Sequence, residues 1–149
     1  LGLPVEPFAG LDRLDVAIDG TDQVTPDRWL VKGGGAAHTR EKVVAAAADR
    51  FVVIAGSDKP VDTLRAPIPL ELLAYGLEAT LRALGDVTLR DVPRSPDGGV
   101  IADYQGDVGD PAELAAWLDA IPGVVSHGLF PPALVTDVLI ARGGQVSAQ

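Results

Sequence analysis

Hydrophobic positions along this chain fall into two textures. In the first, short unbroken apolar runs flank one helical stretch. "LDVAID" (14–19) is an apolar run that ends on an acid and predicts a buried strand. "RWLVK" (28–32) predicts a second, shorter one. "TREKVVAAAADR" (39–50) predicts a helix, with Thr39 as its N-cap and Glu41 in the first turn, where a carboxylate suits the helix dipole. Its alanines from 45 to 48 offer a thin face for packing on a sheet. "FVVIAG" (51–56) predicts a fully apolar strand. Strand, helix and strand in this order predict a parallel sheet with helical crossovers.

The second texture begins with "SDKPVDTLRAPIPL" (57–70), whose three prolines read as an ordered linker. "LELLA" (70–74) predicts a strand. A helix follows from Tyr75 to Leu84, with Leu77, Leu81 and Leu84 on one stripe. "DVTLRD" (86–91) alternates like a half-buried strand, "PRSPDGG" (93–99) is turn chemistry, and "VIADYQ" (100–105) is the next strand. "DPAELAAWLDAI" (110–121) has Asp110 as N-cap and Pro111 at the first helical position. Its Leu114, Trp117, Leu118 and Ile121 make an apolar stripe, which places Trp117 in the core. "GVVSHGLF" (123–130) closes the block. The order β-α-β-β-α-β is ferredoxin-like. "ALVTDVLIAR" (133–142) predicts one more buried strand, returning to the first unit, and "GGQVSAQ" reads as a loose tail. The expected fold is α/β: a mostly parallel, Rossmann-like sheet formed by residues 1–65 and 132–149. A ferredoxin-like α+β domain is inserted at 66–131.

Composition narrows the function. With 149 residues, 47% of them apolar, the chain can bury a core. No run approaches the roughly 18 to 20 apolar residues of a membrane span, and no signal segment opens the sequence. Cysteine is absent, and only His38 and His127 are present, so thiolate and multi-histidine metal sites are not expected. A cytoplasmic protein is the default. Net charge is −9, which disfavours nucleic acid as a partner. The charge is uneven: residues 66–130 carry 3 basic and 10 acidic side chains, residues 1–65 carry 8 and 10. Arg28, Lys32, Arg40, Lys42, Arg50 and Lys59 cluster in the first unit, so an anionic ligand belongs there. There is no methionine, so Leu1 is no ordinary translation start and the sequence reads as part of a longer chain.

Two stretches carry candidate chemistry. "DGTD" (19–22) ends the first strand, and ligands of parallel sheets bind beyond the carboxyl ends of strands. Asp19 and Asp22 can then face one crevice, with Gly20 and Thr21 turning the chain between them. The same four residues are also an ordinary turn sequence. "KGGGAA" (32–37) places Lys32 before Gly33, Gly34 and Gly35. Such a run suits close approach of the main chain to an anion, near the positive end of a helix. It is equally a flexible loop, and it is not a P-loop. Glu41 is a candidate general base or a dipole-complementing acid. Lys59 can reach the crevice edge or lie solvated. His38 borders the helix start, His127 reads as structural, and Tyr104 and Trp29 carry no distinct signal.

On these residues the chain resembles the type A ribose-5-phosphate isomerase family along essentially all of its length. "DVAIDGTDQV" is similar to that family's strand ending in Asp-Gly-Ala-Asp-Glu. "LVKGGGAAHTREKVVAAAADRFVVIAGSDK" is similar to its glycine loop, helix and following strand, while "APIPLEL", "LRALG" and "DPAELAAWLDAIPGVVSHGLF" match its inserted domain in order. The resemblance implies interconversion of ribose 5-phosphate and ribulose 5-phosphate through an enediolate, without metal or organic cofactor, by a homo-oligomer. It implies Glu41 as the base, Asp19 and Asp22 as handlers of hydroxyl protons, and Lys32 as the loop lysine. Lys59 would stabilise oxyanion charge. Gly20, Thr21 and the three glycines would form the substrate cradle.

Some positions depart from the family pattern. Gln23 stands where glutamate is usual, Thr21 where alanine is usual, and His38 where the loop has an apolar residue. "SPDGGVIAD" is a degraded form of a Thr-Asp-Asn-Gly-Asn segment. The family's first strand and its Gly-Thr-Gly-Ser-Thr phosphate loop have no counterpart in this sequence. The expectation is therefore a catalytic half-site whose isolated chain is weakly active and weakly stable. A rival reading is a non-catalytic sugar-phosphate-binding or sensor domain of the same fold. A third, an interaction module, rests only on the acidic surface of the inserted domain.

Overall fold

The structure, a computed structural model, describes residue 2 and residues 4–149; Leu1 lies outside them. In chain order, strands β1 (Ala17–Gly20), β2 (Gln23–Val24) and β3 (Leu30–Val31) lead into helix α1 (His38–Ala46) and strand β4 (Phe51–Gly56). Then come β5 (Ile68–Leu72), α2 (Leu77–Leu84), β6 (Val87–Leu89), β7 (Val100–Tyr104), α3 (Pro111–Ala120) and β8 (Val124–His127). Strands β9 (Leu129–Phe130), β10 (Asp137–Arg142) and β11 (Gln145–Ala148) follow.

Strands β1, β4 and β10 are parallel, in the sheet order β1-β4-β10-β11, with β11 antiparallel at the edge. A second sheet, entirely antiparallel, runs β6-β7-β5-β8. Its connectivity, β5-α2-β6-β7-α3-β8, is the ferredoxin-like one expected from the sequence. The whole of it forms the crossover between parallel strands β4 and β10.

A third sheet, β2-β3-β9, joins these two. Its strands are only two residues long, and the period-two alternation of a strand sends neighbours to opposite faces. Leu30 of β3 and Phe130 of β9 enter the core that also holds Phe51, Val53 and Val138. Val31 and Leu129 enter the core of the ferredoxin-like unit, with Leu70, Leu72 and Leu118. Strands β3 and β9 thus each tie two hydrophobic cores together, and the catalytic candidates sit at this junction.

Several expectations need correction. Helix α1 stops at Ala46, because residues 47–50 pair with the segment before β1: Leu14 N–H donates to Ala47 O, and Asp49 N–H donates to Leu14 O. Thr39 is no N-cap; Ala37 precedes the helix, and the Thr39 hydroxyl donates to Glu71 instead. "GVVSHGLF" is two strands in two sheets, broken at Gly128. Trp117 is half exposed and leans on Tyr104. The tail is strand β11, with Gln149 tied to Thr25 and Arg28. Strand β10 begins at Asp137, after a 3-10 turn at Pro132–Leu134. The parallel strands are not buried throughout: Ile18 and Ile54 are exposed on the face opposite α1. Asp110 caps α3 as expected, accepting from the N–H groups of Ala112 and Glu113.

Candidate active site

Lys32 follows Val31, so strand alternation returns its side chain to the side of Leu30. Its ammonium comes to rest 5.6 Å from the ring centroid of Phe130, within cation–π range. The side chain is only 3% exposed, and a charge taken so far from water needs compensation. The Gly20 carbonyl accepts from it at 2.5 Å, Asp19 Oδ2 lies at 3.0 Å and Glu41 Oε2 at 3.2 Å. The contact with Glu41 is ionic rather than an aligned hydrogen bond, so this buried carboxylate oxygen keeps its lone pairs free of hydrogen-bond donors.

Asp19 sits near the carboxyl end of β1, where its Oδ1 accepts from the Gly20 N–H at 2.8 Å. Asp22 faces the glycine loop, and its Oδ2 accepts from the Gly34 N–H at 2.8 Å. The Thr21 hydroxyl bonds to the carbonyls of Gln23 (2.7 Å) and Val31 (2.9 Å), which fixes the turn between the two aspartates. Nine of the ten residues selected from the sequence, at 19–22, 32–35 and Glu41, line one cavity of about 230 Å³. Lys59 is the exception. It is absent from that lining, and its ammonium pairs with Asp58 at 3.3 Å.

Gly33 is where the loop lies closest to its support. Its φ is +112°, and a Cβ there would fall 2.7 Å from both His38 Nδ1 and Pro69 Cβ. The loop turn closes with Ala36 N–H on Gly33 O at 3.0 Å, leaving Ala36 left-handed at φ 62°.

Behind the cavity lies a cluster that sequence reasoning passed over. Lys42 packs its ammonium 5.1 Å from the Phe130 centroid and donates to the His127 carbonyl at 2.7 Å; burial pushes its pKa down to about 8. His127 accepts from Leu129 N–H at 3.2 Å through Nδ1 and pairs with Asp119 at 3.2 Å through Nε2. Burial, then the Lys42 charge, lowers its pKa to about 4. His38 is fully buried, and among the described residues neither ring nitrogen makes a well-formed hydrogen bond. Burial and then Lys42 hold it at about 4, with Glu71 and the Ser126 carbonyl opposing.

Two further residues lacked a local signal. Glu71, in β5, accepts from the hydroxyls of Thr39 and Ser95, tying α1 to the 95–99 loop. Arg90, beyond β6, bonds Asp103 and the glycine loop. Both act through partners far away in sequence, which spacing does not reveal.

The cavity holds three carboxylates and one ammonium, a formal charge of −2, so it suits hydroxylated carbons better than a phosphate group. It offers a base, a fixed cation and backbone donors around one small volume. Among the described residues, no three His, Cys, Asp or Glu side chains converge as metal ligands, and no helix is long and apolar enough to cross a membrane.

Comparison with known proteins points one way. Residues 1–145 match the family model of ribose 5-phosphate isomerase A (phosphoriboisomerase A). Ribose-5-phosphate isomerase A of Nitrobacter hamburgensis is 42% identical over 146 residues, covering 87% of this chain and 63% of the relative. The crystal structure of ribose 5-phosphate isomerase A from Neisseria gonorrhoeae superposes with a TM-score of 0.91 at 30% identity, over 98% of this chain and 68% of that one. A D-ribose-5-phosphate isomerase in complex with phospho-erythronic acid superposes at 0.88 with 31% identity, over 99% and 69%. The chain therefore spans between 63% and 69% of the length of these relatives.

Proposed function

Because the chain belongs to the ribose 5-phosphate isomerase A family, we propose that its cavity interconverts ribose 5-phosphate and ribulose 5-phosphate. The observation that carries this reading is the Glu41 carboxylate, held 3.2 Å from a buried lysine and facing the glycine loop across one small cavity.

Glu41 takes the proton from C2 of the open-chain aldose, and the electrons form the C1–C2 double bond of an enediolate. The developing negative charge on O1 meets Lys32 and the N–H groups of the loop, which are fixed before reaction and need no reorganisation. Collapse to the ketose makes C2 a carbonyl and returns the proton from Glu41 to C1. Asp19 and Asp22 exchange the hydroxyl protons and assist ring opening. One base serves two adjacent carbons, so it has to stay close to both, and the Lys32 contact restrains it. The negative cavity receives the sugar end, and the phosphate lies outside it. Lys59 contributes from the crevice edge once substrate is bound. The same reading describes a cytoplasmic homo-oligomer that uses no metal or organic cofactor.

The test is turnover of ribose 5-phosphate in deuterium oxide by the full-length protein that carries this chain. Ribulose 5-phosphate with deuterium at C1 is the expected product, and phospho-erythronic acid, whose carboxylate mimics the enediolate oxygens, should inhibit. Tight binding of the sugar phosphate without any turnover would replace this reading with a sensor domain.

A further inference from the structure

Arg90 spends all its hydrogen bonds away from the reacting groups. Its Nε and Nη2 grip the two oxygens of Asp103, on β7, at 2.7 and 2.6 Å. Its Nη1 donates to the carbonyls of Gly33 at 2.9 Å and Gly34 at 3.1 Å. One planar guanidinium thus bridges strand β7 of the ferredoxin-like sheet and the glycine loop. Because Asp103 neutralises it, its effect on the cavity comes through geometry more than through charge.

The carbonyl and the N–H of a trans peptide unit point in opposite directions. The Gly33–Gly34 unit displays this directly: its carbonyl is on Arg90 and its N–H is on Asp22, a cavity residue. The next unit, Gly34–Gly35, has its carbonyl on the same guanidinium. Among the described residues none accepts from its Gly35 N–H, and Gly35 also lines the cavity. We infer that Arg90 is a positioning residue for the isomerisation: by holding both carbonyls it aims the Gly35 N–H at the enediolate oxygen. This rests on the isomerase reading above. Lysine cannot replace it, since one ammonium does not span the Asp103 carboxylate and two carbonyls at once.

The experiment compares wild type, Arg90→Lys, Arg90→Met and Glu41→Gln in the full-length protein. Arg90→Lys keeps a charge beside Asp103 and so guards the fold, and melting curves check both arginine variants. The expected result is a fall in kcat of about 10²–10³-fold for Arg90→Met, the loss typical of one oxyanion donor, with KM changed less than about threefold. Arg90→Lys falls between. In ¹⁵N-glycine-labelled protein the Gly35 amide should shift on adding phospho-erythronic acid in wild type and stay unmoved in Arg90→Met. A folded Arg90→Met with wild-type kcat, a rise in KM alone, or a Gly35 amide that responds identically in both proteins would overturn the inference. A wild type without turnover, or a fully active Glu41→Gln, would refute the isomerase reading instead. The Gly35 resonance then decides the Arg90 assignment alone.

Discussion

Gln23 and Thr21 stand where the family resemblance leads one to expect glutamate and alanine, and each has a task here. The Gln23 amide donates to the Arg65 carbonyl at 2.8 Å and accepts from the Arg65 N–H at 2.9 Å, a pairing no carboxylate could complete. His38, a third departure, costs stability. It is fully buried, and although the Ser126 carbonyl lies against it, neither ring nitrogen makes a well-formed hydrogen bond among the described residues, and burying polar groups so weakly bonded is unfavourable. His38→Leu should therefore stabilise the chain by about 1–3 kcal/mol, raising its melting temperature by about 2–4 °C per kcal/mol for a chain of this size. The titration has a definite sign. His38 and His127 are held at about 4, below the ordinary 6.5, so between those values the unfolded chain binds protons that the folded chain refuses. Stability should be intact above pH 6.5 and decline toward pH 4, and His38→Leu should flatten that decline. Equal melting curves for both proteins across this range would show that the imidazole is satisfied in solution. At this scale the sequence was informative where residue type and chain position coincide, as in an acid ending a strand or glycines before a helix. It was silent on Arg90 and Glu71, whose partners lie across the fold.

Among the elements, the two-residue strands matter most and were the least legible. "RWLVK" shows a strand, but not that Leu30 and Val31 feed different cores, because that depends on β9 pairing alongside β3. The apolar run "GVVSHGLF" hides a change of sheet at Gly128. There the Gly128 carbonyl accepts from Lys32 N–H at 2.9 Å, and a Cβ would fall 2.2 Å from the Lys32 carbonyl oxygen. Gly128→Ala must push the Gly128 segment off the backbone of Lys32. The expected result is a loss of about 1–3 kcal/mol in denaturant titrations, as for other overpacked sites, together with reduced kcat. A variant of wild-type stability and activity would mean that the junction yields without moving Lys32. Thr39 failed as a cap because Glu71 offers its hydroxyl a buried carboxylate, a competition that no local rule contains.

Over the whole molecule, the alternation of apolar runs and the β-α-β-β-α-β order were enough to predict a parallel sheet interrupted by a ferredoxin-like unit. What the pattern did not reveal is that one face of the parallel sheet stays open at Ile18 and Ile54, or that the inserted unit reaches back through Arg90, Glu71 and Asp97 to hold the glycine loop and helix α1. We propose that this assembly poises Glu41 as a base beside Lys32. The most direct measurement is kcat/KM for ribose 5-phosphate by the full-length protein and its Glu41→Gln variant, with matched melting curves. A folded Glu41→Gln should lose about 10²–10⁴-fold, the range for a general base, while still binding the sugar phosphate. Turnover undiminished by the substitution would mean that Glu41 is not the base.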